Sequence, residues 1–134
     1  MLRDDRQIAL GGAIEACLHA AHVHEDGADL ISERATILRQ LAARRREDAE
    51  ILAEHLRRLG DLPKEPDPEY QAAADLVSHL KAAIVEDERA EVVARSQEAE
   101  NALAEALQHL LELELAPECR EDVDRILDSR ATLV

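Results

Sequence analysis

The stretch Ser32–Gly60, SERATILRQLAARRREDAEILAEHLRRLG, decides the fold. Leu38, Leu41, Leu52, Leu56 and Leu59 recur at steps of three and four, which is the apolar face of an amphipathic helix. Ser32 reads as its N-cap, with Glu33 placing an acid at the positive end of the helix dipole. Arg57 and Arg58 stand in the last turn, and Gly60 is positioned as the residue after the C-cap. A helix over 32–60 is roughly 40 Å long at 1.5 Å per residue. Its inner stripe should continue through positions 45 and 48, where the sequence has Arg45 and Asp48. Charged residues at mid-length on the inner face of a long helix are how bundles build sites in their cores.

With that helix placed, the whole chain reads as four principal helices and one short extra helix in a single domain, residues 1–134. The first helix starts near Asp4 and ends between His24 and Leu30, with Ile14, Cys17, Leu18 and Ala21 inward. Gly11-Gly12 should weaken it by roughly 1 kcal/mol per glycine unless another helix packs close there. After Gly60, Pro63, Pro66 and Pro68 make a stiff extended connection. A short helix over about Glu69–Ile84 comes next, carrying Leu76, Leu80 and Ile84. Glu86-Asp87-Glu88 then opens the third main helix, which runs to about Leu113 with the stripe Val93, Ser96, Glu100, Leu103, Leu107, Leu110. Pro117 opens the last helix, with Cys119, Val123, Ile126, Arg130 and Leu133 along its inner face. A long connection with an extra helix, placed between the second and third main helices, suits a crossover along the bundle.

Composition supports an all-α chain and removes several functions. There is one tyrosine and no Phe or Trp, whereas strands draw on aromatic and β-branched residues. The same lack removes the stacking platforms of single-strand nucleic-acid binders, and a net charge of −14 opposes phosphate backbones. Seven of the sixteen basic residues lie in 32–60, but five acids lie there too, so this is a salt-laced surface rather than a nucleic-acid face. No apolar run reaches membrane-spanning length and the N-terminus has no signal-peptide core, so the expected location is the cytoplasm. Cys17 and Cys119, with no second cysteine near either, read as two buried free thiols.

Each main helix offers a polar residue at a similar depth: His22 at the edge of the first, with His19 one turn back, then Arg45 and Asp48, then Ser96 and Glu100, then Arg130. Two arrangements would satisfy these residues. In one, Arg45 and Arg130 pair with Asp48 and Glu100, and a guanidinium supplies the positive charge of the polar core. In the other, His19, His22, Asp48 and Glu100 bind a metal.

Leu41-Ala42-Ala43 through Arg57-Arg58-Leu59-Gly60, the proline-rich crossover, Ala99-Glu100-Asn101-Ala102 and the Pro117-led helix together resemble small bacterial ferritin-like proteins. These are four-helix domains of largely unknown function, some linked to stress responses. The resemblance implies a ferritin-like up-down four-helix bundle with a short extra helix in the crossover. It also implies two iron or manganese ions bound by bundle glutamates and two Glu-x-x-His motifs. This sequence departs from that pattern: none of its six histidines has a glutamate three residues before it. Arg44-Arg45 stands where such proteins tend to carry an acid followed by Arg, and Ser129-Arg130 where a last-helix histidine is expected. An arginine cannot ligate a cation. The expectation is a non-enzymatic, metal-free bundle that pairs as a homodimer or higher homo-oligomer and acts as a structural or stress-associated interaction module. The alternatives are an iron- or manganese-oxidising carboxylate protein with unusual ligands, and an acidic helical module that binds a basic protein.

Overall fold

The computed structural model describes residues 4–63 and 88–133, and among these it is helical with no strand. The helices are α1 (Asp5–Leu30), α2 (Ala35–Arg58), α3 (Glu88–Leu111) and α4 (Pro117–Asp128), with a single 3-10 turn at Ser32–Arg34. The short helix expected over 69–84 lies outside the described residues. Two apolar clusters give the helix directions. Ala28 and Ile31 at the end of α1 pack with Leu38 near the start of α2 and Val92 near the start of α3. Leu10 and Ile14 near the start of α1 pack with Leu52 and Leu56, with Leu107 and Leu110, and with Cys119 and Val123. So α2 and α3 both run antiparallel to α1, and α4 returns alongside α3. The end of α2 and the start of α3 therefore lie at opposite ends of the bundle.

Local chemistry fixes the helix ends. Asp4 and Gln7 form a reciprocal capping box on α1, with Gln7 N donating to Asp4 Oδ1 at 2.9 Å and Asp4 N donating to Gln7 Oε1 at 2.8 Å. The Gln7 side chain also donates through Nε2 to the carbonyl of Leu59 at 3.0 Å, tying the start of α1 to the end of α2. Gly60, at φ 84°, ends α2: its N–H bonds Arg57 O at 2.9 Å and Asp61 N bonds Leu56 O at 3.2 Å, a Schellman motif. Arg120 of α4 donates to the Leu111 and Leu113 carbonyls at 3.1 and 2.8 Å, satisfying the end of α3.

Three expectations change at this level. Ser32 caps nothing with its side chain; it opens the 3-10 turn, and Ala35 N–H bonds its carbonyl, so α2 begins three residues later. The inner residue at the start of α3 is Val92, with Val93 only half-buried. The last helix stops at Asp128, so Arg130 and Leu133 lie beyond it rather than on its inner face.

The glycines of α1 separate into two kinds. Among the described residues a Cβ on Gly11 or Gly12 would meet nothing within 4 Å, so none of the described helices packs there to offset their low helix propensity. A Cβ on Gly27 would lie 2.8 Å from Val92 Cγ1 and 3.3 Å from Leu38 Cδ1. Gly12→Ala should therefore raise the unfolding free energy by about 0.5–1 kcal/mol. Gly27→Ala should lower it by about 1–3 kcal/mol, because a β-branched valine cannot move aside cheaply. Urea unfolding of the two variants checks both signs.

Candidate buried charge site

The periodicity that makes α2 amphipathic carries Arg45 and Asp48 into the core, where they are 0% and 4% exposed. Glu100 and Ser96 arrive in the same way on α3, and His24 on α1; all three are fully buried. Arg45 and Glu100 form a two-pronged pair, with Nε to Oε2 at 2.8 Å and Nη2 to Oε1 at 2.5 Å. Nη1 donates to Asp48 Oδ2 at 2.8 Å and to Ser129 Oγ at 3.2 Å, and Nη2 donates to the Ser129 carbonyl at 3.1 Å. A guanidinium has five N–H donors, and each of Arg45's meets one acceptor.

Glu100 is equally saturated. Besides the two bonds from Arg45, Oε1 accepts from Ala131 N at 3.1 Å and Oε2 accepts from His24 Nε2 at 3.1 Å. An ionised carboxylate only accepts, so His24 Nε2 is the donor in this bond. His24 Nδ1 and Ser96 Oγ are buried without a hydrogen-bond partner among the described residues. Burial alone would push the Glu100 carboxyl up; the bonds from Arg45, His24 and Ala131, with the charge of Arg45, bring it down to about 2. At Asp48 burial outweighs the bond from Arg45, and its carboxyl is shifted upward. Cys17, buried nearby, is pushed up to about 12 by desolvation and by the Asp48 charge, so it is a packed thiol with little nucleophilic character. Cys17 and Cys119 are both buried and unbridged.

The chain after α4 closes the site as a strap. Ser129 contacts Arg45 and Ala131 contacts Glu100. Gln97 of α3 holds the far end of the strap, accepting from Leu133 N at 2.7 Å and donating to Ala131 O at 3.4 Å. A second contact joins α2 to α4 nearer their other ends. His55 Nε2 lies 2.6 Å from Asp122 Oδ2, and Arg125 donates to the same carboxylate at 3.0 Å. The His55 bond is the main reason the Asp122 carboxyl sits below its usual range.

The residues singled out in the sequence divide accordingly. Arg45, Asp48 and Glu100 meet in one cluster. Arg130 does not join them: it is exposed, because the helix has ended and its neighbour Ser129 reaches Arg45 instead. His19 is exposed and His22 half-buried. Together with Asp48 and Glu100 they do not converge as ligands, and among the described residues no three His, Cys, Asp or Glu side chains gather so as to hold a metal ion. His24, Ser129 and the backbone of Ala131 are the members that sequence reading misses. His24 had a signal, since Leu10, Cys17 and His24 succeed one another at heptad spacing along the buried face.

Comparison of the chain with family models, curated proteins and solved structures gives no match. Among the described residues no helix is long and apolar enough to cross a membrane.

Proposed function

We propose that this chain is a ferritin-like bundle whose core site is closed by an internal cation, and that it acts in the cytoplasm as a self-associating structural or stress-associated interaction module without catalytic turnover. The observation that carries this reading is the Arg45 guanidinium, fully buried and bonded to Glu100, Asp48 and Ser129. In ferritin-like sites, carboxylates at mid-helix neutralise metal ions. Here the same kind of carboxylate is neutralised by a side chain that cannot ligate or cycle between oxidation states. The residues present do not fit a di-metal centre: both Glu100 oxygens are already bonded twice, and Asp48 is held by Arg45.

Elemental analysis of the protein purified without chelators, then titrated with Fe(II) under air, tests the metal-free part. The expected result is no stoichiometric iron or manganese and no oxidation above buffer. About two ions per chain with oxidation on titration would replace this reading with an iron- or manganese-dependent one. Self-association is tested by sedimentation velocity across the micromolar range. A mass rising to the dimer or beyond is expected, and a monomer throughout removes that part.

A further inference from the structure

Arg45 is surrounded as a ligand is. Its acceptors come from separate elements: Asp48 from its own helix, Glu100 from α3, and the Ser129 hydroxyl and carbonyl from the strap. The Ser129 hydroxyl is itself oriented, donating to Ile126 O at 2.7 Å and leaving a lone pair for Nη1. These oxygens are arranged around the edge of a flat group rather than around a point. With guanidinium C–N bonds of about 1.3 Å, acceptors at hydrogen-bonding distance from the nitrogens lie roughly 4 Å from the central carbon. Hard metal ions need oxygens at about 2.0–2.6 Å from one centre. The cage suits a planar cation with several in-plane donors, and it does not suit a sphere.

We propose that the Glu100–Asp48–Ser129 cage is a binding site for a planar guanidinium-class cation, occupied in this chain by Arg45 itself, and that docking of the strap depends on that occupant. Two of the five bonds to the cation are made by Ser129, and Glu100, once oriented by the cation and His24, receives the Ala131 N–H. Cation and strap therefore bind cooperatively. When the side chain of residue 45 is shortened, a free guanidinium should enter and restore both. This inference rests on the reading of the cluster as a closed guanidinium–carboxylate site. A metal in the purified wild-type protein would sink that reading, whereas rescue by free guanidinium turns on the variant.

The experiment uses the full chain carrying Arg45→Ala, with guanidinium and propylguanidinium as probes. At about 20 mM, far below denaturing concentrations, either probe should raise the variant's Tm by several degrees over sodium at equal ionic strength. Wild type should not gain, and hydrogen exchange at the Ala131 amide should be fast in the variant and slow again with probe. An equal rise with sodium, a rise with Mn(II) instead, or no rise at all overturns the proposal. Should Arg45→Ala fail to fold, the wild-type protein decides by nitrogen-15 NMR of its guanidinium groups. Five separate, slowly exchanging N–H signals for Arg45 uphold a fully occupied cage, and signals averaged by rotation overturn it.

Discussion

Arg45→Leu lowers the unfolding free energy by about 3–5 kcal/mol, the range for removing one partner of a buried ion pair. The loss arises because Glu100 and Asp48, both buried, lose the guanidinium that each of them bonds. Glu100→Leu costs less, because Arg45 keeps Asp48 and both Ser129 acceptors. The double variant Arg45→Leu/Glu100→Leu should lose less than the sum of the two, with a coupling of about 1–3 kcal/mol, since removing the pair together leaves only Asp48 without its cation, whereas Arg45→Leu alone strands Glu100 as well. Urea unfolding of the two single variants and the double variant measures this directly. Additive losses would mean that the two side chains act independently and the paired geometry is wrong.

The second large effect is in acid. Glu100 is held at about 2 against an ordinary 4.5, and at about 1.4 kcal/mol per unit this is roughly 3 kcal/mol of stability. The sign comes from the depressed value: the contribution is whole above pH 4.5 and disappears as pH falls through about 2. Asp48 acts in the opposite sense. Its raised value means that the charged form is disfavoured in the folded state, so its protonation as pH falls favours the fold. Asp122, lowered chiefly by its bond to His55, adds to the acid loss from a more exposed position. Comparing wild type with Glu100→Leu isolates the Glu100 share. Between pH 5 and pH 2 the wild type should lose about 3 kcal/mol more than the variant. Parallel pH profiles would show that Glu100 is not ionised in the core.

Much of this was legible in the amino-acid sequence where a helical period was strong. The leucines from Leu38 to Leu59 put positions 45 and 48 on the buried face, and the same phase on α3 put Ser96 and Glu100 there. Illegible parts are those settled by tertiary contact. Nothing after Asp128 is a glycine or a proline, so the periodic pattern runs on through Arg130 and Leu133. The helix ends there as the Ala131 N–H bonds Glu100, 31 positions away, where a continuing helix would bond it to Leu127. Ser32 has the chemistry of a cap, but Ile31 lies in the apolar cluster at that end, and the chain turns through a 3-10 turn before α2 starts. His24 follows the exposed His19 and the half-buried His22 in sequence, yet it is fully buried. Its spacing from Cys17 was the better guide.

The cage also bears on how quickly this protein can come apart. Its bonds join residues 55, 76 and 84 positions apart, whereas α1 and α2 are consecutive and meet through a short turn. Pairing of α1 with α2 closes the smaller loop and is expected early; the cage needs α3 and the strap in place and is expected late, which φ-values at Leu38 and Glu100 would test. Contacts formed after the rate-limiting step slow unfolding without speeding folding. The buried charges of Arg45 and Glu100 thus bear less on the search for the fold than on how long the fold lasts once found.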